Sequence, residues 1–276
     1  MPRSTICLTF DFDAFSVWFS YPNTTPAMLA RGEYGARVGI PRVLELLRAS
    51  AIQATFFIPG HTVDSFPAQV EAILADGHEV AHHSYAHVDP SEQTPDEERH
   101  DMERALAALA RLGVTPAGYR SPSADMSLRT LALLEEYGFR YDSSLMADDF
   151  RPYRPRIGDR VTRYEPLVPG RDARLWELPI SFEFDDWVHF QFNFNPYRNG
   201  TSAPGKVLEI WTGEFDWMHT HVNDGILTAT MHPQVIGRGH RIAMLERFIA
   251  HCRAAGNVTF ARLGDVAEAL DAARQL

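Results

Sequence analysis

Short apolar, β-favouring runs alternate along this 276-residue chain with longer segments of helical periodicity, and that alternation restricts the fold more than any other feature. Residues 6–10 (ICLTF), 53–58 (QATFFI), 78–83 (HEVAHH), 118–121 (GYRS), 139–144 (FRYDSS), 175–181 (LWELPIS), 226–232 (ILTATMH) and 258–263 (VTFARL) read as strands. Segments 41–50, 66–77, 94–112, 127–138, 205–219, 240–256 and the closing 264–276 read as helices, the one at 94 opened by the capping pattern TPDE. The stretch 145–174, rich in Arg, Asp and Pro, reads as long loops. Strand and helix alternate about seven times, which predicts parallel strands wrapped by helices, in a barrel or a doubly wound sheet. No internal repeat and no Gly/Ser linker divides the chain, so one domain over residues 1–276 is expected.

In either architecture, reactive residues collect where strands exit. The first strand leaves through Asp11 and Asp13, which alternation puts on one face. Two such carboxylates repel unless a cation lies between them or one keeps a proton. Asp is also common where loops begin, so this pair alone decides nothing. The third strand leaves through HHSYAH. His83 and His87 are four apart, and a helical turn would carry both imidazoles to one metal ion, with His82 turned away as a structural group. The fourth strand leaves through Arg120, which needs a carboxylate, Asp11 or Asp13, if it is buried. The strand at 226–232 ends in His232. Each residue has a bland reading; their joint placement at separate strand exits does not. Two His and one Asp form an open three-ligand metal site. The second Asp then serves as general base and the lone His as general acid, chemistry that hydrolyses an amide or imide C–N bond.

At these residues the chain resembles the polysaccharide deacetylase family (NodB homology, carbohydrate esterase family 4) over roughly 6–263. TFDFDA stands at the family's Thr-Phe-Asp-Asp motif with one residue inserted between the acids, HSYAH at its His-(Ser/Thr)-x-x-His, YRSP at its arginine motif and MHP at its late histidine. The resemblance implies a distorted (β/α) barrel of about seven parallel strands and one divalent metal, zinc foremost, with cobalt, nickel, manganese or iron also suited to this donor set. It implies Asp13, His83 and His87 as ligands, Asp11 as base held by Arg120, and His232 as acid. The acid before Trp187 that orients this histidine is Asp185 or Asp186. RGEYGARVGIPRVLELL (31–47) and MHPQVIGRGHRI (231–242) are similar to a cytoplasmic subgroup holding cyclic-imide hydrolases, allantoinase-like proteins and a peptidoglycan-deacetylase-like member.

The substrate is less constrained. A net charge of −10 disfavours a nucleic-acid partner. No apolar run approaches the ~20 residues of a membrane span, and 1–10 lack a leader's long apolar stretch, so a cytoplasmic protein with no membrane partner is expected. Cys7 and Cys252 lie in apolar runs and read as buried thiols. Two aromatic inserts, 14–38 (Trp18, Phe19, Tyr21, Glu33, Tyr34, Arg37) and 182–200 (with Trp187), read equally as a lid or as subunit contacts of a homo-oligomer, a dimer or tetramer. Trp18, Glu33 and Trp187 are candidate substrate contacts. A small cytosolic amide or cyclic imide is the leading substrate expectation. An N-acetyl amino sugar or peptidoglycan is the second, and an inert metal-binding scaffold the reading from another class, which needs neither Asp11 nor His232.

Overall fold

The computed structural model describes residues 4–19, 24–194, 197–198 and 200–274; Tyr21 lies outside them. Eight strands form one all-parallel sheet: β1 (Ser4–Asp11), β2 (Thr55–Ile58), β3 (Glu79–His82), β4 (Gly118–Tyr119), β5 (Tyr141–Asp142), β6 (Trp176–Glu177), β7 (Ile226–Met231) and β8 (Val258–Phe260). Seven run in the order β7-β1-β2-β3-β4-β5-β6, curled as a half-barrel, with β8 pairing the start of β1. Of the two architectures open to the alternation, this is the barrel. Between β6 and β7 the described residues place no ladder. That gap is crossed by Ile226 N–H donating to Phe150 O (2.9 Å) at the start of β7 and by a parallel bridge between Asp185 and Thr230 at its end.

Alternation in β1 sorts the core. Ile6, Leu8 and Phe10 face outward and pack with Phe56, Ile58 and Val80 under the helices. Cys7 faces inward with Phe57, Ala81, Tyr141 and Leu178, over residues of the closing helix (Leu263–Arg274). Above that inner layer come Thr9 and Asp11, polar and buried, so the cavity opens where the apolar filling stops. Both cysteines are buried and unpaired with each other.

The helices depart from expectation in informative places. The predicted helix at 41–50 is the second part of a longer helical run: α1 (Pro26–Tyr34), a π-helical turn Gly35–Gly39, then α2 (Ile40–Ala49). A Cβ on Gly39 would stand 2.2 Å from Pro233 O, so glycine lets this turn sit directly on the short helix Pro233–Ile236 after β7. The expected 66–77 helix is α4 (Pro67–Ala75), and a further short helix, α3 (Gly60–Ser65), stands before it, the two separated at Phe66 ahead of Pro67. Next, α5 (Pro95–Arg111) opens with the predicted capping box of Thr94 and Glu97. The 127–138 segment is helical only over α6 (Thr130–Glu136). Residues 145–174 are not all loop: Arg156–Ile157 pair antiparallel with Arg171–Asp172.

Asp142 and Glu177 face each other across β5 and β6, both fully buried. Glu177 Oε1 accepts from the backbone N–H of Ser144 and Leu145 (2.9 Å each), and Asp142 Oδ1 from Ser144 Oγ (2.8 Å). The remaining oxygens, Glu177 Oε2 and Asp142 Oδ2, have no other partner, so the pair shares a proton. Burial and the Asp142 charge push Glu177 well above the usual carboxylate range. A carboxyl raised in the folded state contributes stability that is full below the unfolded value and lost as pH rises toward the folded one. Glu177→Gln keeps a permanent donor to Asp142, so its melting temperature is expected to fall less than that of the native chain as pH rises above the ordinary carboxylate range. Equal slopes in calorimetry would mean that no proton is held there.

Candidate active site

The predicted residues converge at the strand exits. Arg120, fully buried, follows β4. Its Nη1 donates to Asp11 Oδ1 (2.7 Å) and Thr9 Oγ1 (2.9 Å), its Nε to Ser143 O (2.8 Å) and its Nη2 to Ser143 Oγ (3.0 Å), with the guanidinium 4.1 Å over the Phe57 ring. Arg120 therefore pairs with Asp11, not Asp13. Removing one partner of such a buried pair costs about 3–5 kcal/mol. Ser143 was not singled out in the sequence; its only signal was a place beside β5, in a run with another serine.

His83 and His87 meet as predicted, with ring centroids 5.0 Å apart, but not on a helical turn. Ser84 and His87 have positive φ, and His87 N–H donates to Ser84 Oγ (2.8 Å), so a tight loop performs the convergence. His83 Nδ1 bonds Arg120 O (2.7 Å), leaving Nε2 facing Asp13 Oδ1 (3.4 Å) and Asp11 Oδ2 (3.9 Å). His87 Nε2 lies 3.9 Å from Asp13 Oδ1. His82 turns the other way, toward Met102 O (3.2 Å), as expected of a structural histidine.

Ligand atoms of Asp13, His83 and His87 all lie within 4.8 Å of one another. Asp13 Oδ1 and His83 Nε2 are buried without a hydrogen-bond partner, orphans that a cation would satisfy. Electrostatics agree. Burial alone would raise Asp13, yet His87 and His83 hold it below the usual carboxylate range. Burial would lower His83, yet Asp13 and Asp11 hold it above its usual value, while burial takes His87 down to about 4. The oxygen–nitrogen donor set fits a divalent transition metal.

Adjacent acids flank His232, and they are not equivalent. Asp186 Oδ1 is 2.7 Å from His232 Nδ1, and both Asp186 oxygens accept from the His232 backbone N–H (3.1 Å). Asp185 Oδ1 is 3.9 Å from Nδ1 and accepts instead from Trp187 N–H (2.7 Å). Asp186 thus orients the ring. Burial opposes charge on His232, but Asp186, Asp185 and Asp13 prevail and push it up to about 10; burial raises Asp185 to about 7. His232 Nε2 lies 4.0 Å from Asp11 Oδ2 across the cavity.

That cavity has a volume of about 290 Å³. Asp11, His83, His87, Arg120 and His232 line it, together with a wall that includes Val17, Ile180, Phe182 and Trp187. The Trp187 ring lies 5.1 Å from the His232 ring, tilted by 56°. Two of the candidate substrate contacts fall elsewhere. Trp18 is fully buried behind Trp187, at 5.7 Å, and does not line the cavity. Glu33 is exposed on α1 beside Arg37 (3.5 Å). Helical phase explains Glu33, since Gly32 and Gly35, not Glu33, face the core.

The model of the family described as polysaccharide deacetylase matches residues 1–141. A Helicobacter pylori protein named peptidoglycan deacetylase is 32% identical over 272 residues, covering 94% of this chain and 93% of its own. The chain belongs to the polysaccharide deacetylase family. Among further members, a Gibberella zeae peptidoglycan deacetylase-like protein is 28% identical, over 88% of this chain and 79% of its own. A solved Mycobacterium smegmatis structure, provisionally described as a polysaccharide deacetylase, superposes with a TM-score of 0.87 at 34% identity, covering 99% of this chain and 92% of its own. The Puue allantoinase structure shares the deacetylase fold, with a TM-score of 0.78 at 24% identity over 97% of this chain and 90% of its own. No helix among the described residues is long and apolar enough to cross a membrane.

Proposed function

We propose that this deacetylase-family chain is a metal-dependent hydrolase of a non-peptide C–N bond in a small amide or cyclic imide. The observation that carries the reading is the meeting of an Asp–His–His cluster, an arginine-held aspartate and an aspartate-held histidine around one compact cavity. Asp13, His83 and His87 would hold the ion, zinc foremost, which supplies Lewis-acid polarisation of the scissile carbonyl. Arg120 engages Asp11 through Oδ1, leaving Oδ2 to take the proton of an attacking water. His232, kept protonated by its acids, gives its Nε2 proton to the leaving nitrogen as the C–N bond breaks. A volume near the lower end of ligand pockets, with an apolar wall, favours a small substrate. The second reading, removal of acetyl groups from N-acetyl amino sugars, draws on the Helicobacter pylori peptidoglycan deacetylase and its match over most of this chain.

The deciding experiment sets succinimide against an N-acetylglucosamine oligomer, with metal-loaded and chelated protein. Metal-dependent ring opening without acetate release supports the first reading. Acetate release from the oligomer alone replaces it with the second. Turnover of either substrate that survives full chelation would remove the metal from the mechanism.

The proton on His232 gives a pH prediction. Rate constants that need the imidazolium form should hold until pH nears about 10 and fall above it. In Asp186→Asn the carboxylate that raises His232 is gone, so the falling limb of kcat/KM is expected about two pH units lower. A limb that stays in place would assign it to another group.

A further inference from the structure

We propose that a second cavity, beside the active site, binds a small protonated oxyanion, of which hydrogen phosphate is the simplest. The cavity has a volume of about 130 Å³ and shares no lining residue with the first. Trp18 and Gln234 stand between them: Trp18 packs on Trp187 of the catalytic cavity, and Gln234 Nε2 donates to Asp13 Oδ2 (3.4 Å).

Three arginines line it, Arg31, Arg238 and Arg241. Each guanidinium lies over an aromatic ring: Arg31 at 4.8 Å from Trp18, Arg238 at 3.6 Å from Tyr34 and Arg241 at 4.6 Å from Phe190. The rings hold the cations in place without neutralising them. Among the described residues, neither Arg238 nor Arg241 has a carboxylate within ion-pair distance, in a chain whose net charge is −10. Arg241 donates to Val235 O (3.1 Å) and Phe190 O (3.3 Å), which leaves its buried Nε without an acceptor. Burial, with Arg238 adding to it, pushes Arg241 below its usual value despite the field of Asp186.

Gln234 supplies an independent demand. It is only 6% exposed, its amide nitrogen is committed to Asp13, and its Oε1 is buried without a donor. A ligand that satisfies both residues accepts from arginine and donates to an amide oxygen. Hydrogen phosphate does both through P–O⁻ and P–O–H. Sulfate at neutral pH only accepts. A cavity of this volume holds a tetrahedral ion and has no room for a whole nucleotide within it.

Calorimetric titration of the holoenzyme with inorganic phosphate tests the site, repeated after chelation because a metal centre can itself take phosphate. One phosphate per chain is expected in both forms, with sulfate about fivefold weaker or worse for want of the proton. Arg238→Gln is expected to weaken phosphate about tenfold, charge-assisted bonds being the strong ones. Arg241→Lys is the second variant; it keeps the charge, loses the planar fork and should also weaken phosphate in a folded protein. Binding that vanishes with the metal, that both variants leave intact, or that is absent at about 10 mM phosphate (weaker than any useful affinity) overturns the proposal.

Discussion

Asp11→Asn is expected to lower kcat by about 10³-fold or more, a loss of roughly 4 kcal/mol of transition-state stabilisation, with metal content unchanged. The asymmetry follows from the two oxygens of Asp11. Oδ1 is engaged by Arg120, and the amide oxygen of Asn can accept that bond, so the buried guanidinium keeps a partner. Oδ2 faces His83 Nε2 at 3.9 Å and His232 Nε2 at 4.0 Å, and an NH₂ group there cannot take a proton. Metal analysis by mass spectrometry beside single-turnover rates separates the two functions. Loss of metal in Asp11→Asn would show that the roles of Asp11 and Asp13 are exchanged.

His83→Ala is expected to abolish both metal binding and turnover. The ring supplies one of three donors, and its Nδ1 bond to Arg120 O fixes the ring's direction, an arrangement that tunes a ligand as well as placing it. Binding to the folded state alone stabilises it by about 4 kcal/mol at a thousandfold excess over Kd, so the native chain should melt several degrees higher with zinc than with chelator. The variant should show no such difference. A variant that still melts higher with stoichiometric zinc would mean that the ion is held elsewhere, the acids around His232 being the other cluster of suitable donors.

The place of the candidate site was legible in the sequence because a parallel sheet gathers its strand exits at one end, and strand ends can be read from apolar runs. Asp11, Asp13, His83, Arg120 and His232 all came from that rule, and the sheet places them there. His87 came from a spacing argument whose conclusion held for a different reason, since positive-φ residues do in a loop what a helical turn was expected to do. Asp185 and Asp186 could not be separated beforehand. Neighbours in a chain differ only through the backbone direction at that point, which here is set by the bridge from Asp185 to Thr230. Ser143 and Gln234 were invisible because a serine or a glutamine announces nothing until its partner is placed. The helical run from Pro26 was missed for a similar reason: it depends on glycines whose fit to Pro233 and Gln234 is a tertiary fact.

The gap between β6 and β7 has its own consequence. Asp11, His83, Arg120 and His232 all follow strands of the continuous ladder, whereas Asp186, which holds the His232 ring, lies across the seam, which a bridge at Asp185 and a hydrogen bond from Ile226 cross in the described residues. The proton acceptor and the proton donor therefore share one support, and the acid that orients the donor is mounted on another. Lengthening the chain between Leu178 and Asp185 would spread the mouth of the cavity without altering the register of a single strand that carries a metal donor. Reach toward larger substrates and the holding of the metal are, in this architecture, adjusted by separate parts of the molecule.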